Sequence, residues 1–258
     1  NASLFLQKNA LRNQNVTVHR RHSQYNRMRV PRIFYCRESH RGCFPLWRLR
    51  TLCFDLDCAT IEKKEAAESA GRKTMGKKLR LLFIGNSHTY YNDMPLMAAK
   101  KARAAGYDCE VTMIAHGGWF LEQHVAEPDV RFAILLGNYD YVILQEHAHP
   151  FGPEEKFFEA ARKLNTWIRE ANSTPVIYMT WAMKEEEAVQ PRMTKAHQEI
   201  AEEIDALLAP VGEEWWQYKK NHPEIEMYAE DGAHASPAGS DLAASCIWET
   251  IRADLEKK

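Results

Sequence analysis

The chain has 258 residues, 34 of them basic and 35 acidic, and this near-balance hides two parts of opposite character. Residues 1–74 carry 15 basic and 6 acidic side chains, whereas residues 75–258 carry 19 and 29. No segment reaches the roughly 20 apolar residues of a membrane span, so the sequence predicts no transmembrane helix. The length accommodates one large domain, or one domain preceded by an extension.

Residues 1–75 form a basic N-terminal extension without an amphipathic period. We interpret it as a segment that is disordered or not natively translated, with Met75 as a candidate natural start and residues 76–258 as the folded domain. A basic arm for nucleic acid is disfavoured because no helix face or aromatic platform accompanies the charges. A zinc site is disfavoured because paired C-x2-C spacing is missing from the candidate ligands, which are Cys36, His40, Cys43, Cys53 and Cys58. No signal segment is visible, so the sequence predicts a cytoplasmic protein.

The folded part alternates apolar runs with helical patterns. Short apolar runs predict buried strands at residues 79–84, 110–115, 141–144 and 176–180. Amphipathic or capped segments predict helices at residues 95–105, 121–136 (one or two helices, interrupted near Pro128), 153–171, 190–208, 213–220 and 237–255.

This alternation predicts an α/β fold with a parallel sheet between two layers of helices. Ligands of such sheets bind beyond the carboxyl ends of the strands. Ser87, Gly117, Gln145 and Trp181 each follow a predicted strand closely, so we expect all four at one edge of the sheet.

Three polar residues, Ser87, Asp231 and His234, suggest nucleophilic catalysis. Ser87 lies on a turn directly after an apolar strand, and a serine hydroxyl needs a general base to become a good nucleophile. Asp231 and His234 are three residues apart, so one short loop can present a base and the carboxylate that orients it. Taken alone, Ser87 is more simply a helix N-cap; the Asp–His pair favours catalysis.

These motifs resemble the SGNH (GDSL-like) hydrolase family over residues 79–256. Within the family, the segments 84–92 and 231–239 resemble an uncharacterised bacterial subgroup. The matching blocks are Gly85-Asn86-Ser87, Gly117-Gly118 and Asp231-Gly232-Ala233-His234. The resemblance implies a three-layer α/β/α fold with a parallel five-stranded flavodoxin-like sheet. It also implies a catalytic triad of Ser87, His234 and Asp231, with oxyanion donors on the backbone of Ser87 and of Gly117 or Gly118.

The third block departs from the family pattern. The family places an asparagine there, whereas this chain has Gln145 followed by Glu146 and His147. The Gln145 amide can act as a substitute oxyanion donor, or it can make a purely structural hydrogen bond at the strand ends.

The histidines near the sheet edge also suggest a metal site. We reject a two-metal phosphoesterase because the carboxylate motifs that such chemistry needs are missing. The resemblance implies no metal and no organic cofactor. The histidines considered as ligands are His88, His116, His147 and His149.

The sequence therefore predicts a serine-dependent ester hydrolase that removes a small acyl group, such as acetyl, from a carbohydrate or similar small substrate. The alternatives are an acyltransferase with the same triad and a catalytically silent carbohydrate-binding module. We expect neither nucleic-acid nor membrane partners, and the oligomeric state stays open. Candidate substrate-binding residues are Asn86, His88, Trp119, His147 and Trp181. Ordinary packing is the alternative for the two tryptophans.

Overall fold

The structure is a computed structural model that describes residues 76–258. The interpretation of residues 1–75 as a disordered or untranslated extension lies outside the described residues.

Five parallel strands form the central sheet, in the order β2-β1-β3-β4-β5. This strand order is that of flavodoxin-like sheets, so the predicted fold class is confirmed. The strands are β1 (Lys78–Gly85), β2 (Asp108–Ala115), β3 (Tyr141–Leu144), β4 (Thr174–Tyr178) and β5 (Leu207–Ala209).

Eight α-helices lie within residues 76–258, joined by two short 3₁₀ turns at Tyr91–Asp93 and Glu187–Val189. The helices are α1 (Ser87–Tyr90), α2 (Met94–Ala104), α3 (Leu121–Ala126), α4 (Pro128–Leu136), α5 (Glu154–Glu170), α6 (Gln190–Glu203), α7 (Val211–Asn221) and α8 (Pro237–Leu255).

The predicted helix at residues 190–208 is wrong in its last part. Helix α6 ends at Glu203, and Leu207–Ala209 pairs with β4 as the edge strand β5. Asp205 adopts a left-handed conformation (φ 53°) that interrupts the helix. Three apolar residues fit a helical or a strand pattern equally well, so the pairing with β4 decided their conformation.

Alternate residues of β1 enter two separate cores, as expected for a strand covered on both faces. Leu79, Leu81 and Phe83 pack with α2, α7 and α8. Leu82 and Ile84 pack on the opposite face with α3, α4, α5 and α6. This layering leaves the carboxyl ends of the strands free, and the loops that follow them converge at one edge.

Within residues 76–258, none of the helices combines the length and the apolar character needed to cross a bilayer.

Candidate active site

Ser87 is held on a tight turn between β1 and α1. Asn86 caps the helix, because its Oδ1 accepts the backbone N–H of His88 at 3.0 Å. Gly85 permits the turn: a Cβ there would lie 2.5 Å from both Gln145 Oε1 and Thr89 Oγ1, which is closer than real contacts allow. Ser87 is therefore the first residue of a helix, with its hydroxyl at the carboxyl end of the sheet.

Asp231 and His234 lie on a loop that is closed by backbone hydrogen bonds at its base. Tyr228 and Ala235 form an antiparallel bridge, and the Ala229 N–H donates to the His234 carbonyl at 2.8 Å. Asp231 Oδ1 accepts the backbone N–H groups of Ala233 and His234, at 3.0 and 2.9 Å. The carboxylate thus organises the loop that carries the histidine.

The structure brings Ser87, His234 and Asp231 into one hydrogen-bonded chain. Ser87 Oγ lies 2.7 Å from His234 Nε2, and His234 Nδ1 lies 2.5 Å from Asp231 Oδ2. A carboxylate can only accept, so Nδ1 carries the hydrogen of a neutral ring and Nε2 is the acceptor for the serine hydroxyl. This is the geometry that a serine nucleophile and its general base require.

The charge of Asp231 is maintained by its partners. Burial acts to raise the pKa of this carboxyl, but the His234 ring and the two backbone N–H groups outweigh burial and lower the pKa to about 2. Asp231 is therefore ionised at neutral pH and stabilises the hydrogen on Nδ1.

The glycines after β2 occupy different positions relative to the serine. Gly118, in the left-handed region (φ 73°), lines the cleft beside Ser87. Gly117 packs against Tyr90, since a Cβ there would lie 3.0 Å from the Tyr90 hydroxyl. As the first helical residue, Ser87 has a backbone N–H without an acceptor in α1. Of the two glycines, Gly118 is the one that lines the cleft beside Ser87.

Gln145 is buried behind the serine turn, and its amide is engaged there. Its Oε1 accepts from the Asn86 backbone N–H and the Thr89 hydroxyl, each at 2.8 Å, and its Nε2 donates to the Glu146 carbonyl. Gln145 does not line the cleft. These contacts favour the structural alternative over the role of an oxyanion donor.

The cleft beside Ser87 has a volume of about 270 Å³ and a wall rich in histidine. Its lining comprises Asn86, Ser87, His88, Gly118, His147, His149, Ala233 and His234. A more open groove of about 640 Å³, bordered by α6 and α7, shares no lining residue with it.

The predicted substrate-binding residues fall into two groups. Asn86, His88 and His147 line the cleft. Trp181 does not, because it is fully buried, stacks on Trp215 with ring centroids 3.9 Å apart, and donates to the Ala233 carbonyl. Its prediction as a substrate-binding residue is corrected: the ring supports the His234 loop from within the core.

Trp119 is also outside the cleft lining. Its ring packs on His116, with centroids 4.1 Å apart, and on His124. Its carbonyl accepts the Asn86 side-chain N–H at 2.8 Å. Trp119 therefore ties the loop after β2 to the serine turn; its ring is only partly buried, and direct substrate contact stays a prediction.

For three residues near the cleft, sequence reasoning predicted no role in catalysis or substrate binding. Tyr91 stacks on the His234 ring, and Asn92 donates to the Ala235 carbonyl at 2.9 Å. His149, which the sequence suggested only as a metal ligand, lines the cleft. Tyr91 and Asn92 belong to the segment 84–92, whose resemblance to a bacterial subgroup was the sequence signal that could have identified them.

Glu146 connects two of the loops at this edge. Its carboxyl is buried and accepts the backbone N–H of Leu121 at 3.2 Å and of His147 at 2.7 Å. Burial raises the pKa of Glu146 to about 7, although the two N–H groups act in the opposite direction. The group thus titrates near neutral pH behind the cleft wall.

In the part of the chain that the structure describes, no group of three or more His, Cys, Asp or Glu side chains is arranged to hold a metal ion.

Comparison with solved structures identifies the family. A protein from Slackia heliotrinireducens assigned to the SGNH hydrolases is 30% identical, with a TM-score of 0.60, and the match covers 68% of this chain and 100% of that one. This chain belongs to the SGNH hydrolase family.

Two further structures share the fold at lower identity. A DUF4886 family protein from Bacteroides uniformis is 18% identical over 67% of this chain and 83% of its own, with a TM-score of 0.58. Axe2, an acetylxylan esterase from Geobacillus stearothermophilus, is 16% identical over 69% and 95%, with a TM-score of 0.51. No protein-family model and no curated protein matches the chain.

Proposed function

We propose that this protein is a serine-dependent esterase that removes a small acyl group, such as acetyl, from a carbohydrate or a similar hydroxyl-bearing molecule. The observation that carries the proposal is the continuous hydrogen-bonded chain from Ser87 Oγ through His234 to Asp231. A hydroxyl in this arrangement loses its proton to the imidazole as it attacks a carbonyl.

In the first half of the reaction, Ser87 Oγ forms a bond to the ester carbonyl carbon while His234 Nε2 takes the serine proton. The carbonyl oxygen becomes an oxyanion, to which the N–H groups of Ser87 and Gly118 donate. Loss of one such donor typically lowers the rate about 10²- to 10³-fold. The intermediate then expels the alcohol, which receives the proton from His234, and leaves an acyl group on Ser87.

In the second half, a water molecule replaces the alcohol. His234 Nε2 takes one proton of the water, and the water oxygen bonds to the acyl carbon. Collapse of this second intermediate returns the proton to Ser87 Oγ and releases the carboxylic acid. Throughout, the Asp231 carboxylate stabilises the imidazolium that forms when Nε2 is protonated.

The cleft supports a small acyl group. A volume of about 270 Å³ accommodates an acetyl group and part of the alcohol, and the lining contains no large aliphatic side chain for a long acyl chain. The acetylxylan esterase of the same fold is an example of such a substrate class.

Labelling with a fluorophosphonate tests the proposal, because this reagent reacts with activated serines. We expect wild type to be labelled and Ser87→Ala to be unlabelled. The matched control is Ser245→Ala, since Ser245 is a partly buried serine of α8, outside the cleft, whose hydroxyl donates to the Asp241 carbonyl. Equal labelling of wild type and Ser87→Ala would overturn the nucleophile assignment.

The acyl preference is measured separately with p-nitrophenyl esters. We expect kcat/KM to be highest for acetate and to fall steeply by octanoate. A preference for octanoate would contradict the small-acyl part of the proposal while leaving the nucleophile in place.

A further inference from the structure

Two imidazole nitrogens of histidines that line the cleft have no hydrogen-bond partner among residues 76–258. They are His88 Nε2 and His149 Nε2, and both atoms are buried. His88 is only 6% exposed, and both residues line the cleft beside Ser87. Buried polar atoms in native proteins nearly always have a partner, so these two nitrogens point to a bound group that supplies one.

Both rings are held in place by aromatic packing. His88 lies against His149 in an edge-to-face arrangement, with centroids 5.0 Å apart, and against Trp181 at 5.3 Å. Trp181 is itself stacked in the core. The two rings are therefore held in place beside the cleft before any substrate arrives, which reduces the entropy lost on binding.

The two rings are uncharged at neutral pH. Burial, together with the neighbouring His149 and His234, lowers the pKa of His88 well below its usual value. Burial, with His147 as the next cause, lowers the pKa of His149 to about 4. A neutral imidazole has one nitrogen that donates and one that accepts.

The chemistry of the wall restricts what can bind there. None of the lining side chains, all of which belong to the described range 76–258, is a carboxylate, a lysine or an arginine. A substrate anion would find no cationic side chain in this lining, which is costly. A hydroxyl both donates and accepts, so it can pair with either nitrogen whichever tautomer the ring adopts.

We propose that His88 and His149 bind a free hydroxyl of the substrate next to the scissile ester, and so select esters of polyols over esters of simple alcohols. This inference rests on the proposed esterase function and assigns the two histidines to recognition of the alcohol. His88 and His149 thus contribute to substrate specificity, whereas His234 carries out the proton transfers.

Two acetate esters with the same carbon skeleton test the inference. Glycerol 1-monoacetate carries free hydroxyls beside the ester, whereas n-propyl acetate has none. We expect wild type to show a kcat/KM at least about tenfold higher for the glycerol ester. A site that hydrogen-bonds a hydroxyl discriminates against the analogue that lacks it, because its polar groups are then left unpaired.

His149→Phe and His88→Phe keep an aromatic ring and remove both nitrogens. Each is expected to reduce the glycerol-to-propyl ratio about five- to tenfold, mainly through kcat/KM for the glycerol ester. The control is His222→Phe, because His222 is an exposed histidine beside Glu224 and outside the cleft. His149 is only partly buried, so His149→Phe decides the question even if His88→Phe fails to fold.

Hydrolysis of p-nitrophenyl acetate and fluorophosphonate labelling separate this inference from the function on which it rests. If wild type shows both activities but no preference for the glycerol ester, the histidine assignment is overturned and the esterase stands. An unchanged ratio in His149→Phe overturns it equally. If wild type shows neither activity, the esterase proposal itself fails.

Discussion

The ring of Tyr91 lies flat on the imidazole of His234, with centroids 4.1 Å apart and 11° between the planes. Tyr91 follows α1 directly, so the segment that presents the serine also covers one face of its base. In the proposed reaction this imidazole becomes positively charged when it takes the serine proton. An aromatic face attracts such a cation by about 0.5–2 kcal/mol.

Replacing Tyr91 by leucine should therefore slow the reaction, because the charged imidazole loses its aromatic neighbour. We expect kcat/KM on p-nitrophenyl acetate to fall about 2- to 30-fold in Tyr91→Leu, the range that corresponds to the loss of a cation–π contact. Tyr91→Phe keeps the stacked ring and should stay within about twofold of wild type. A loss in Tyr91→Phe as large as in Tyr91→Leu would mean that the hydroxyl matters and the stacking does not.

Asn92 fastens the histidine loop to the serine segment. Its side-chain Nδ2 donates to the Ala235 carbonyl and to Ser240 Oγ, each at 2.9 Å, and its backbone is left-handed (φ 53°). Asparagine tolerates this conformation better than alanine does. We expect Asn92→Ala to lower the free energy of unfolding by about 1–3 kcal/mol, measured by urea titration.

The activity of Asn92→Ala should fall as well, because the loop that carries His234 loses an anchor. Asn138→Ala is the matched control: Asn138 has nearly the same backbone angle (φ 52°) but lies on an exposed turn. We expect the control to lose stability and keep its kcat. If Asn92→Ala keeps the wild-type kcat, the bridge between Tyr228 and Ala235 is enough to hold the His234 loop without the Asn92 side chain.

Asp231→Asn tests the orienting carboxylate. An amide in place of Oδ2 can present a donor to His234 Nδ1, which favours the tautomer that cannot accept the serine proton. We expect kcat to fall about 10²- to 10⁴-fold with a smaller change in KM, measured on p-nitrophenyl acetate. A loss below tenfold would indicate that the loop backbone alone orients the imidazole.

The same variant has an effect on stability that depends on pH. The pKa of Asp231 in the folded protein, about 2, lies below its ordinary value of 3.8. The carboxylate therefore adds stability above about pH 4, and this contribution disappears as the pH falls towards 2. Its magnitude is reduced by solvent screening because the side chain is 45% exposed. The difference in urea midpoint between wild type and Asp231→Asn should shrink from pH 5 to pH 2.

Glu146 should have the opposite pH dependence. Its folded-state pKa, about 7, lies above the ordinary value of 4.5, so the folded protein binds the proton more tightly than the unfolded chain. Its contribution to stability is highest below about pH 4.5, declines as the pH rises, and is constant above about pH 7.

Glu146→Gln removes this titration. The free energy of unfolding of wild type minus that of the variant should decrease by up to about 3 kcal/mol between pH 4.5 and pH 7.5. Titration of the buried histidines occurs in both proteins and cancels in the difference. A difference that is flat across this range would show that Glu146 keeps an ordinary pKa.

Much of the fold followed from local patterns. The continuous apolar run of β1 and the Ser236–Pro237 start of α8 are encoded by neighbouring residues, and the structure has both elements where they were predicted. The strand β5 was different, because Leu207-Leu208-Ala209 has no period of its own and becomes a strand only by pairing with β4.

The candidate site shows the same division. From the sequence alone, Ser87 and the Asp231–His234 pair could be selected, because each motif has a chemical meaning within a few residues. Only the tertiary structure decided that Gln145 is used internally, that Trp181 is buried, that His149 lines the cleft and that Tyr91 stacks on His234. The reason is physical: a backbone turn is specified locally, whereas the partner of an amide or a ring depends on which distant segments pack against it.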